Sequence, residues 1–480
     1  MRRITSRFLS AILAALFVFT LVSNIKDHDI VNAADEGKTK KNTTLGATGI
    51  YSPEVPGSAD DAWFGSYIWF GMYDGNPIKF RVLDPETDKF GSDTIFLDSD
   101  RALYYGHFDN DSQPNQGASR ADEWAYCDIR TGLNGDEFLE KDGVFTAKEK
   151  NAIVSSKIKG HDLVVGNKSG NVTTRTKNFF SKYVALNGEK VFILDAEDVS
   201  NSKYGYCIDD GLCKNRVKKG VMGIDHSWWL RSSTLNSSTG VGAVDDDGVF
   251  YSFTVSSGMD IAPALNIDRS SVFFTTKIKY KSNVSGAEYK LTLKNDDLSV
   301  TVPESGEVTV TGNAVSIPFM VSGKDAGTAT RISVLILDKE YKDGNPNNAS
   351  ILYYGTLCGA SSNGRDVFYL SDEFDINEWG SKYHVYILAE DINDIKQTDY
   401  TSKPYEVRKP EPPKPDYTVT ISGDAGVTGS CSPVKGKSGT KVALAAKVSD
   451  GYKFNKWEIV SGDAVIASPS SANTTLTIGN

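Results

Sequence analysis

The sequence predicts a multidomain chain: an α+β domain first, an all-β sandwich second and a small β module last. Three observations carry this. At roughly 150 residues per domain, 480 residues suggest about three domains. The composition, with 43 Gly, 22 Tyr, 22 Phe and only 5 Met, is aromatic and poor in strong helix formers, which favours strands. The run Arg408-Lys409-Pro410-Glu411-Pro412-Pro413-Lys414-Pro415 is a stiff extended linker and the clearest boundary in the chain.

The N-terminus reads as an export signal. Arg2, Arg3 and Arg7 precede an uncharged apolar run from Phe8 to Ile25, and Val31-Asn32-Ala33 supplies small side chains for cleavage after Ala33. Residues 1–33 are therefore expected to be a signal peptide, the alternative being a retained anchor helix. They hold four basic and two acidic residues, so their loss takes the net charge from −10 to −12. Residues 34–47 are small and polar and read as a flexible leader. No second membrane span follows, so the mature chain is expected outside the cell, released or held at the surface.

The first domain covers 48–275. Tyr67 to Tyr73 and Ile78 to Leu83 read as strands of a hairpin turned at Asp74-Gly75-Asn76-Pro77, and Thr94 to Leu97 as a third strand. Asp122 to Asn134 reads as a helix ended by Asn134-Gly135. Thr146-Ala147-Lys148-Glu149 is a capping box opening a short helix. Val191 to Asp195 and Trp228 to Ser233 return to strand. A hairpin over Gly242 to Thr254 follows, turned by Asp245-Asp246-Asp247-Gly248, and Ala262 to Asp268 closes the domain.

Residues 286–408 carry short alternating strands at Tyr289–Leu293, Val308–Val310, Val315–Val321, Ile332–Leu337, Ile351–Tyr354 and Tyr383–Leu388, the pattern of a β-sandwich of immunoglobulin-like size. After the linker at 409–415, residues 416–480 hold Tyr417 to Ile421, Lys441 to Ala446 and Gly451-Tyr452-Lys453-Phe454-Asn455-Lys456-Trp457. This small β module stops mid-pattern and is expected to be incomplete.

Charge and motifs exclude several functions. There are 52 basic and 62 acidic residues and no dominant basic patch, so nucleic-acid binding by phosphate neutralisation is not expected. No phosphate loop, dinucleotide glycine fingerprint or Gly-x-Ser-x-Gly phrase is present. The five His (His28, His107, His161, His226, His384) show no metal-ligand spacing. His226-Ser227 lacks the structural context of a catalytic pair.

Three sites stand out. In Trp228-Trp229-Leu230-Arg231, adjacent strand residues face opposite ways, so one Trp is expected in the core and the other at the surface, stacking on a sugar or anchoring a partner. The alternative packs both in the core with Arg231 on a carboxylate. Asp245, Asp246 and Asp247 offer hard oxygens for Ca2+, or else a plain hairpin turn. Asp109-Asn110-Asp111-Ser112-Gln113 is a second oxygen-rich loop. Of five Cys (Cys127, Cys207, Cys213, Cys358, Cys431), Cys207 and Cys213 flank a short loop that a disulfide would close, worth about 2 kcal/mol; buried free thiols are the alternative.

Several phrases carry resemblances. Phe70-Gly71 before Pro77-Ile78-Lys79-Phe80-Arg81-Val82-Leu83, Asp128-Ile129-Arg130 before Leu133-Asn134-Gly135, Phe145 before Glu149-Lys150, Trp228 to Ser232 and Pro263-Ala264-Leu265-Asn266 fall in order over Gly65 to Asp268. This segment resembles an uncharacterised extracellular domain family of Gram-positive gut bacteria. Its closing Trp-Leu-Arg-Ser to Pro-Ala-Leu architecture resembles the C-type-lectin-like fold of formylglycine-generating proteins. Those enzymes use a late cysteine pair that holds copper; here no Cys lies between Cys213 and Asp268, which puts that activity in doubt. Residues 286–408 resemble the Ig-like segment that follows such domains, around Tyr353-Tyr354-Gly355 and Tyr383 to Asp391. Val442-Ala443-Leu444 and Gly451 to Trp457 resemble the internalin-type bacterial B repeat, a spacer unit of surface proteins.

The resemblances imply a secreted or cell-surface bacterial protein: a non-catalytic, adhesin-like head on β spacer modules, recognising a glycan or glycoprotein. The alternative is an extracellular enzyme, glycan-active or a divergent formylglycine-type oxidase.

Overall fold

The computed structural model describes residues 42–159, 179–180, 183–208, 211–234, 237–283, 285–342, 349–410 and 415–479. The expected signal peptide, most of the leader, His28, His161 and most of the Pro-rich run lie outside the described residues. The chain divides into two compact units at Lys409–Pro410. It is mostly β structure. Among the described residues no helix is long and apolar enough to cross a membrane.

The first unit begins its main sheet with the hairpin Tyr67–Tyr73 and Asn76–Thr87. Its turn is the two residues Asp74 and Gly75, both with positive φ (48° and 77°), the geometry that matches strand twist. Gly71 interrupts the register of the first strand. Its φ is 72° and a side chain there would run into the Phe145 ring, so only glycine fits. Thr94–Ser99 and Ala264–Asp268 continue the sheet antiparallel to Val191–Phe192.

The sequence separates 48–275 from 286–408, yet one sheet runs through that division. Glu288–Lys294 pairs antiparallel with Val272–Lys279. Its first half lies parallel to Tyr67–Trp69 and its second half parallel to Asp399–Thr401. From there the sheet continues through His384–Asp391, Arg331–Leu337 and Ile351–Gly359. Phe273 and Phe274 share an apolar cluster with Leu335, Leu337, Tyr354, Tyr386 and Leu388. Ser299–Thr301, Thr309–Thr311, Ala314–Ser322 and Asn363–Tyr369 form a separate four-stranded sheet over the core of this region.

A second sheet of the first unit runs Phe250–Thr254, Gly240–Val244, Trp228–Thr234, Gly258–Ile261 and Tyr104–His107. The last of these is an edge strand. Helix is sparse. The expected helix over 122–134 is a 3-10 turn at Trp124–Tyr126, an extended Cys127, and a short α-helix at Asp128–Leu133. Ala147–Ala152 forms behind a complete capping box: Thr146 Oγ1 accepts from the Glu149 amide, and Glu149 accepts from the Thr146 amide.

The second unit is a small β module. Val427–Ser432, Lys441–Val448, Asn473–Ile478 and Ala464–Ile466 form its main sheet over Val442, Leu444, Leu476 and Ile478. Trp457 sits outside any strand, packs on Phe454 and donates to the Ser471 carbonyl at 3.0 Å.

Candidate functional site

The Trp228–Arg231 phrase is core, which corrects the expected exposed ring and agrees with the alternative that packs both rings inside with Arg231 on a carboxylate. Trp228, Trp229 and Arg231 are all fully buried. The strand Trp228–Thr234 has a neighbour on each side, and both its faces are covered. Trp228 Nε1 donates to the Arg216 carbonyl (3.2 Å) and Trp229 Nε1 to the Gly106 carbonyl (3.1 Å), so both polar handles are satisfied internally. Arg231 donates to Asp195 (2.8 Å) and Asp198 (3.1 Å) and to the Val184 carbonyl. Burial pushes the Asp195 carboxyl up. Burial works the same way on Asp198, but Lys89 and Arg231 outweigh it and hold that carboxyl low. A ligand meets none of these side chains, and they position the scaffold instead.

Asp245, Asp246 and Asp247 form the hairpin turn. Asp245 Oδ1 accepts from the amides of Asp247 (3.1 Å) and Val249 (2.7 Å), and Gly248 takes the positive φ. Among the described residues no group of three or more His, Cys, Asp or Glu gathers as a metal-ligand set. Cys207 and Cys213 are joined by a disulfide with Cα atoms 6.2 Å apart, while Cys127, Cys358 and Cys431 are free.

A different place is concave. A cleft of about 360 Å³ opens beside the edge strand Tyr104–His107. Ile129 and Ile261 give it apolar surface, Tyr73, Tyr104 and Tyr105 its rings, and Asp128, Asp136 and Glu137 its carboxylates. The fold brings these from five places: the Asp74 hairpin, the edge strand, its neighbour Gly258–Ile261, the helix Asp128–Leu133 and the loop after it. Tyr73 stacks on Tyr104 with centroids 5.9 Å apart. Lys141 sits 4.3 Å above the Tyr73 ring and pairs with Asp74 at 2.9 Å. Tyr105 is 58% exposed, with its ring 6.5 Å from that of His226.

Electrostatics mark two groups here. The Tyr104 hydroxyl is buried and has no hydrogen-bond partner among the described residues. Burial, with Glu137 and Tyr73 nearby, pushes its pKa well above the usual phenol range. Behind the cleft wall, burial and the neighbouring Asp128 push the Asp109 carboxyl up to about 6. Asp109 accepts from Asn115 Nδ2 (2.8 Å), and Asp128 accepts from the Asn110 amide (2.9 Å). The oxygen-rich loop from Asp109 to Gln113 is thus tied to the helix that lines the cleft.

Beside Tyr105, His226 Nδ1 lies 3.3 Å from Asp260 Oδ2. Burial raises the Asp260 carboxyl and His226 opposes that rise. Among the described residues no hydroxyl or thiol hydrogen-bonds to His226.

Sequence reasoning missed the cleft. Its one linear signal is Tyr104-Tyr105-Gly106-His107, four residues rich in rings; Asp136-Glu137 and Lys141 join them only through tertiary packing.

The comparisons with known proteins cover two parts of the chain. Residues 92–269 match a family model described as a domain of unknown function (DUF6273). Residues 417–480 match the divergent InlB B-repeat domain. No curated protein and no solved structure matches the chain.

Proposed function

We propose that the first unit is a non-catalytic binding head that takes a glycan or glycoprotein in the cleft beside Tyr104–His107, on a protein exported from a bacterial cell. The observation that carries this is the cleft itself. An exposed tyrosine face, further rings, apolar floor residues and carboxylate and amide groups converge on one concavity. Sugars are held by such a mixture: rings pack on the C–H faces, and polar side chains bond the hydroxyls. Export rests on the charged and apolar N-terminal pattern, and the spacer role on the B-repeat match at 417–480. The lectin-like reading of the head rests on its mixed sheets and short helices around the Trp pair. The Ig-like reading of 286–408 rests on its strand pattern.

A second reading, a glycan hydrolase, is favoured by one observation: Asp128, Asp136 and Glu137 line the same cleft, and hydrolysis of glycosides uses paired carboxylates. The test is a glycan array run with the full chain alongside a hydrolase and oxidase panel. The proposal expects array signal without turnover, with Tyr105→Ala lowering affinity roughly three- to tenfold. Turnover on any glycan would replace the first reading with the second.

A further inference from the structure

We infer that the cleft selects a ligand carrying a protonated amine, an amino sugar with its nitrogen unacetylated; this rests on the glycan reading above. The charges in the cleft do not balance. Three carboxylates, Asp128, Asp136 and Glu137, face one ammonium, Lys141, and one imidazole, His107. That ammonium is already paired with Asp74 outside the cleft lining. Asp136 and Glu137 have no ion pair among the described residues, and both are exposed, so each stays free to meet a cation.

The cleft also shows how it receives an ammonium. Lys141 Nζ rests on the Tyr73 face at 4.3 Å, the geometry of a cation on an aromatic ring. Tyr105, on the opposite side of its strand from Tyr104, also lines the cleft and is exposed. A sugar amine placed between Tyr105 and the two free carboxylates would repeat an arrangement the chain already uses. An N-acetyl group removes the charge and adds bulk, and loses both attractions.

The experiment is calorimetric titration of the full chain with glucosamine oligomers and with N-acetylglucosamine oligomers of equal length, at about pH 6.5, where an amine of this kind is largely charged. The expected result is binding of the free-amine oligomer about tenfold tighter than the acetylated one, as the sum of one cation–ring contact and exposed ion pairs. That preference should shrink as salt rises, and should vanish in Asp136→Asn/Glu137→Gln. Both residues are exposed, so circular dichroism should show the variant folded. Equal binding of both oligomers would overturn the amine inference and leave the glycan cleft standing. Binding of neither, with glycans absent from the array as well, would remove both. A free-amine preference that survives in the double variant would also overturn the inference, because the charge would then be read elsewhere.

Discussion

Thr398 Oγ1 donates a buried hydrogen bond of 2.6 Å to Glu149 Oε1, across 249 positions of sequence. The same carboxylate accepts from the Gly71 amide (3.2 Å) and, through Oε2, from the Thr146 amide (2.9 Å). One residue therefore caps its own helix, holds the glycine bulge of the first hairpin and receives a strand from the region past residue 286. Thr146 Oγ1 also meets Tyr400 Oη at 2.6 Å. The head and the segment behind it are joined by buried polar contacts as well as by a shared sheet.

Glu149→Gln should destabilise the first unit by about 2–3 kcal/mol, since it sets an amide donor against donors in a buried place. Calorimetry should show residues up to Lys409 melting in one transition that moves to lower temperature. Two separate transitions, only one of them shifted, would refute the coupling.

Arg231→Met should cost about 3–5 kcal/mol, because Asp195 and Asp198 would keep buried charge with only Lys89 to answer it. Urea denaturation measures this. A loss under 1 kcal/mol would mean that the buried triad is not held as described.

Tyr104→Phe should leave stability unchanged or raise it, because the hydroxyl it removes has no partner among the described residues. A fall in melting temperature would show that the hydroxyl is bonded within the protein.

These outcomes sort what the residues announced from what they concealed. The Asp74-Gly75 hairpin and the Thr146–Glu149 capping box were legible because their chemistry is local: two positive φ angles in one case, two reciprocal bonds within four residues in the other. The burial of both Trp228 and Trp229 was legible only as one of two readings, the one that also set Arg231 on a carboxylate. Alternation predicts one face in and one out, but that strand lies inside a sheet with both faces covered. The strand Asn363–Tyr369 escaped notice because its residues are largely polar and it sits at an edge, where pairing to Ala314–Ser322 and not hydrophobicity defines it. The parallel pairing at Glu288–Lys294 depends on partners more than 100 residues away on either side, which no window of sequence contains. The cleft escaped for the same reason.

The pH dependence follows from Asp109. Its folded pKa, about 6, lies above the ordinary 3.8, so between these values the native state binds more protons than the unfolded one. Stability from this group therefore falls as pH rises from about 4 to about 6, then levels off. In Asp109→Asn that negative slope should be lost from a plot of unfolding free energy against pH. An unchanged slope would assign it to another group, with Asp399, also raised to about 6 by burial, the next to replace.

Thiol titration of the denatured, unreduced protein should count three groups, Cys127, Cys358 and Cys431, rising to five after reduction. Cys207→Ser/Cys213→Ser should cost about 2 kcal/mol through the lost loop closure. A count of five before reduction would show that the bridge does not form.

The parallel seat of Glu288–Lys294 has a mechanical meaning. Tension along the chain reaches this strand between Tyr67–Trp69 and Asp399–Thr401, with Val272–Lys279 zipped along its other edge. To pull it free, a load must shear three ladders together instead of peeling one bond at a time. A load between the head and the segment behind it would be shared by these ladders and by the buried Thr398–Glu149 and Thr146–Tyr400 bonds.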